Sequence, residues 1–160
     1  MLPIIKTILL ASDLEGHTQE TLALAVSLAK QHKAKLVLMH AMEPISARME
    51  GMVNSYLPPE SIDTLRRDSL KALNDSMQHQ LDQFYQAHQD EENLPEKPIC
   101  ALVEGVAYET ILDTAKEYKA DLIVMNSRTH SALGQMIIGS TANKVIHHSQ
   151  IPVMVVPIHK

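Results

Sequence analysis

Gly139-Ser140-Thr141 is the triplet in this chain best suited to hold an anion. A glycine and two hydroxyl residues precede Val145 and Ile146 at helical spacing, so the triplet reads as a helix start. The first N–H groups of a helix lack intrahelical acceptors, and the helix dipole favours negative charge there. Ser140 also suits the N-cap of that helix, a role that would by itself explain a serine. The surrounding stretch, Ala120 to Pro157, reads as a buried strand (Leu122 to Met125), a polar turn, this helix and another strand.

Other candidates stand where apolar runs end. Asp13 follows TILLAS, so a carboxylate sits at the end of the first strand. It could instead serve the turn or cap the next helix. His40-Ala41, Glu104-Gly105 and Asn126-Ser127 end further runs, and Ser12-Asp13 completes the set. For His40 the plain reading is a partly buried imidazole hydrogen-bonded across strands. Catalytic groupings do not emerge. No His, Cys, Asp or Glu set has metal-ligand spacing, and adjacent His147-His148 point apart on a helix. A nucleophile elbow, a Walker loop and a dinucleotide glycine fingerprint are all missing from the sequence.

The elements that must position these residues alternate. Lys6 to Ser12 and Lys35 to Ala41 are short apolar runs of the kind buried on both faces of a parallel sheet. Pro98 to Glu104 alternates Ile99, Ala101 and Val103, which predicts a half-covered strand nearer an edge. Asp121 opens a fourth strand and Pro152 to Val156 is a fifth. Between them lie helical patterns over Thr18 to His32, Pro59 to about His88, and Tyr108 to about Lys119. In the longest, Ile62, Leu65, Leu73, Met77, Leu81 and Phe84 form an apolar stripe, and Pro58-Pro59 suits its start. Gln89 to Lys97 is an acidic connector expected in solvent. Strands alternating with helices predict an α/β fold: one doubly wound, five-stranded parallel sheet flanked by helices, its first and fourth strands central. Ligands of such sheets bind beyond the carboxyl ends of the strands, where strand order reverses.

Composition narrows the function classes. The chain has 160 residues, 45% hydrophobic and 21% charged, with one Phe, no Trp and nine Met. An aliphatic core with methionine as filler follows, and the methionines between Met39 and Met52 suggest an adaptable surface or an irregular packing layer. A net charge of −5 with scattered basic residues argues against a nucleic-acid partner. A single cysteine, Cys100, excludes an intramolecular disulfide and is expected to be a buried, inert thiol. No apolar stretch approaches a membrane span or a signal segment, so the cytoplasm is the expected compartment.

The segment from Asn126 to Ser140 resembles the phosphate-binding pattern of the universal stress protein family, Gly-x2-Gly-x9-Gly-Ser/Thr. Gly139 and Ser140 match its last two positions, whereas Asn126 and Thr129 stand at its first two glycines and Ala132 at a further one. The resemblance extends over almost the whole chain and implies a universal stress protein domain over residues 1–160. It implies nucleotide contacts from Ser12 and Asp13, from the backbone of Ala41, from Asn126 and Thr129, and from Gly139, Ser140 and Thr141. Asn126 can adopt the left-handed backbone that a glycine would use, whereas β-branched Thr129 does so only under strain. The hydroxyls of Thr129 and Ser131, with Arg128 or His130, are the alternative contacts; Gly134 is out of register. Leu14-Glu15 replaces the family's Gly-Ser after the aspartate and adds a negative charge.

The expected function is that of a dimeric stress-response protein with weakened or lost ATP binding, acting through protein contacts. The alternative is an ATP- or AMP-binding sensor of the same family. An enzyme of the wider superfamily is disfavoured because the paired catalytic motifs are missing. The apolar Ile151 to Val156 strand is expected at a sheet edge, pairing with its copy in a homodimer.

Overall fold

The computed structural model describes residues 1–14, 18–44, 47–127 and 138–158, without the side chains of residues 47–50. Its strands are β1 (Thr7–Ala11), β2 (Lys35–Met42), β3 (Ile99–Glu104), β4 (Leu122–Ser127) and β5 (Val153–Pro157). The helices are α1 (Thr18–His32), α2 (Ala47–Tyr56), α3 (Pro59–Ala87), α4 (Ala107–Glu117) and α5 (Ser140–His148). The strands pair in parallel in the order β3-β2-β1-β4-β5. The expected sheet is present, with β1 at its centre and β3 and β5 at its edges.

The apolar runs of β1 and β4 follow from this order. Successive side chains on a strand point to opposite faces, and both faces are covered here. Ile8, Leu10, Leu122 and Val124 pack with Leu22 and Val26 of α1 and with Met77, Leu81 and Phe84 of α3. Leu9, Ala11, Ile123 and Met125 pack on the opposite face with Ile111 and Ala115 of α4 and Ala142 and Val145 of α5. β3 has only intermediate or exposed residues, as its alternation predicts for an edge.

The expectation for the long helix needs correction. α3 begins at Pro59 as expected, yet its buried residues are confined to Met77, Leu81 and Phe84. Its stripe continues to Leu65, which is nevertheless 54% exposed. α2 lies in the methionine-containing stretch, to which the sequence pattern assigns no element; Met52 and Tyr56 are exposed on it. The acidic connector is mostly exposed, but Leu94 packs against the core and the Tyr85 hydroxyl donates to the Pro95 carbonyl at 3.1 Å. Among the described residues, no helix is long and apolar enough to cross a membrane.

Candidate functional site

Strand order reverses beside β1: the chain runs outward through β2 and β3, then returns to β1's other side with β4. The crossovers diverge there, leaving a crevice beyond the carboxyl ends of the strands. A cavity of about 500 Å3 occupies it, within the range of small-molecule sites. Ser12, Asp13 and Ala41 line it from the ends of β1 and β2. Asn126 lines it from β4, and Gly139, Ser140 and Thr141 from the start of α5. Thr129 lies outside the described residues, as do Glu15, Arg128, His130, Ser131, Ala132 and Gly134.

The Asp13 turn is built from local hydrogen bonds. The Ser12 N–H extends the ladder by donating to the Met39 carbonyl at 2.9 Å. The Ser12 hydroxyl oxygen accepts from the Leu14 N–H at 3.0 Å, which closes a tight turn around Asp13. Leu14 takes a left-handed φ of 60°, unusual for a branched residue, while its side chain packs against the core. The Gln80 amide on α3 reaches its carbonyl at 3.4 Å. Asp13 sits five residues before α1 begins. Asp13 thus lies in a hydrogen-bonded turn and also lines the cleft.

His40 behaves as its plain reading says. Its Nδ1 lies 2.7 Å from the Ser12 carbonyl oxygen. A carbonyl only accepts, so the proton is on Nδ1, and the bond ties the ends of β1 and β2 together. Asn126 lies within β4 and takes no left-handed conformation. Its amide oxygen instead accepts from the hydroxyl of buried Thr21 on α1.

The start of α5 differs from expectation by one residue. Gly139, not Ser140, is the N-cap, with φ 90° and ψ 152°, a conformation that a side chain strains. No side chain caps the helix, and its first internal bond is from the Asn143 N–H to the Gly139 carbonyl at 3.0 Å. The N–H groups of Ser140, Thr141 and Ala142 thus stand in a first turn that supplies no helical acceptor. Glycine is required at 139 for its backbone, and Ser140 belongs to the helix proper.

Sequence reasoning missed Glu43. It lines the cleft immediately after β2, and its Oε1 accepts from the Ala107 N–H at the start of α4, at 3.3 Å. The strand runs one residue past Ala41, to Met42, and the rule that strand ends carry sites would have found Glu43 from the true boundary. Ala107, Ile111, Met125 and Ile138 supply apolar lining. Among the described lining residues there is neither Lys nor Arg, while Asp13 and Glu43 are both carboxylates. Cys100 is half-buried rather than buried, because β3 is an edge strand. Burial and the nearby Asp82 carboxylate push its thiol pKa above the ordinary value.

Comparison with known proteins agrees with this architecture. The Universal stress protein family model matches residues 5–157. A universal stress protein of Thermus aquaticus is 30% identical over 153 residues, 94% of this chain and 98% of that protein. The solved UspA of Lactobacillus plantarum superposes with a TM-score of 0.66 at 24% identity, covering 97% of this chain and 99% of that one. A universal stress protein solved in complex with cAMP superposes with a TM-score of 0.59 at 19% identity, covering 97% and 98% of the two chains. This chain belongs to the universal stress protein family.

Proposed function

We propose that the cleft binds an adenine nucleotide with few phosphates, and that the protein is a ligand-responsive module rather than an enzyme. The supporting observation is convergence. Residues from β1, β2, β4 and α5 that are far apart in sequence line one cavity of nucleotide size at the strand-order reversal. In this reading the Ser140, Thr141 and Ala142 N–H groups hold one phosphate. Asp13 accepts from ribose hydroxyls, and the backbone of Ala41 lies against the base. Ile111, Met125 and Ile138 offer the base an apolar wall.

ATP fits this setting poorly. A triphosphate adds several negative charges to a cleft with two carboxylates and no Lys or Arg among its described lining residues. Asn126 and Thr129 also carry side chains where the family pattern has glycines. Weak ATP binding and retained mononucleotide binding are therefore expected together. The output is a contact with another protein, made by a cytoplasmic homodimer joined through the β5 edge. Calorimetry with AMP, cAMP, ADP and ATP tests the ligand class. Micromolar AMP or cAMP with much weaker ATP supports it; no binding of any of the four leaves the nucleotide-free alternative.

A further inference from the structure

We infer that Glu43 is a specificity-determining residue: it keeps a fixed negative charge in the cleft, and that charge penalises each phosphate beyond the first. The inference rests on the nucleotide reading above. Two helix starts border the cavity, α5 at Ser140 and α4 at Ala107. Neither N-cap residue supplies a side-chain cap. They differ in what they face. Glu43, 64 positions away in sequence, brings its exposed carboxylate to the Ala107 N–H at 3.3 Å, so a negative charge of the chain itself already stands at the positive end of α4.

The neighbouring carboxylate sharpens the point. Met42 and Glu104 are paired across β2 and β3, so Glu43 and Glu104 end adjacent strands. Glu104 forms an ion pair with Arg66 of α3, which neutralises it. Among the described residues, Glu43 has no such cation, and it is held by the Ala107 N–H, a backbone dipole. A helix start carries roughly half an elementary charge, so a unit negative charge there is only partly offset. The remainder acts on whatever anion sits at α5, across the cavity that both helix starts line and that has no Lys or Arg among its described lining residues. A monophosphate on the α5 amides meets this repulsion once; every further phosphate meets it again.

A plain capping role predicts something else. A residue that only held α4 in place would affect all nucleotides alike, with little dependence on salt. The test is calorimetry with AMP, ADP and ATP on wild type and Glu43→Gln, at low ionic strength with magnesium chelated, repeated at high salt. The glutamine keeps an oxygen that can accept from Ala107 while removing the charge. The expected result is a gain that grows with phosphate number, smallest for AMP and about fivefold for ATP at low salt, shrinking as salt screens it. Glu43→Ala should give the same gradient, and the melting curves of both variants verify that they fold. Equal gains for the three nucleotides, or no gain, would overturn the inference while leaving the nucleotide reading intact. If neither wild type nor variants bind any of the three, the nucleotide reading itself fails and this inference falls with it.

Discussion

The hydroxyl of Thr21 on α1 donates to the amide oxygen of Asn126 at the end of β4, joining residues 105 positions apart. Asn126 stands where the family's phosphate pattern has its first glycine, so here the chain has a structural bond at that position. Thr21 is 2% exposed, and removing its partner strands a buried hydroxyl. Asn126→Gly should cost about 1–3 kcal/mol from that loss, with a further 0.5–1 kcal/mol or so from a glycine in a strand. Thr21→Val removes the same bond from the other side. Urea denaturation of both single variants and the double variant should give a coupling of about 0.5–3 kcal/mol. Strict additivity would show that the two side chains do not depend on each other.

Gly139 and Ser140 should separate stability from binding. Gly139→Ala places a side chain at φ 90° and ψ 152°, and should cost about 1–3 kcal/mol. It should also turn the first N–H groups of α5 and weaken AMP. Ser140→Ala removes no side-chain cap bond, so stability should stay within about 0.5 kcal/mol of wild type. Any loss of AMP affinity in that variant then belongs to the ligand. Denaturation midpoints beside calorimetric titrations check both. A large stability loss in Ser140→Ala would restore serine as the true cap.

Much of this was legible in the sequence, for reasons visible in particular residues. Ile8, Leu9 and Leu10 form an unbroken apolar run because β1 is covered on both faces, so a central strand announces itself. Ile99, Ala101 and Val103 alternate because β3 is an edge. Asp13 and Gly139 could be named because strand ends and helix starts are where such folds place ligands. What was not legible depends on distance. Nothing near Asn126 foretells Thr21, and nothing near Glu43 foretells the start of α4. Leu65 carries the helical pattern without the burial, because periodicity reports a helix face and not what covers it. Ser140 was misplaced by one residue because Ser is a common cap and only the backbone angles at Gly139 decide.

Cys100 should be a slow thiol. Its pKa lies above the ordinary value of 9.0, first through burial and then through the Asp82 carboxylate. A folded thiol with a raised pKa holds its proton longer than the unfolded chain does. Its contribution to stability is therefore unchanged below pH 9 and declines as pH rises from there toward the folded pKa. At mild alkaline pH, Cys100 should react with a disulfide reagent more slowly than the same thiol in the urea-unfolded protein. Asp82→Asn should speed the folded reaction, by less than unfolding does, since burial is the larger cause. Equal folded and unfolded rates would rule out both effects.

The last expectation concerns the β5 edge. Val153–Pro157 pairs with β4 on one side, and no described strand pairs with the other. From Val153 to Val156 every residue is apolar and only half-buried, whereas Leu122 to Met125 beside it are buried. An unpaired apolar edge without a charge, bulge or internal proline is a site for strand pairing. A second copy about a two-fold axis would satisfy both edges at once with the same residues. Light scattering should therefore return twice the 17.8 kDa chain mass at micromolar concentration, falling toward the monomer on dilution. Val155→Lys, with circular dichroism as the check on folding, should shift that equilibrium toward monomer by at least tenfold. A monomeric wild type, or a folded Val155→Lys protein that dimerises as well as wild type, would place any self-association elsewhere.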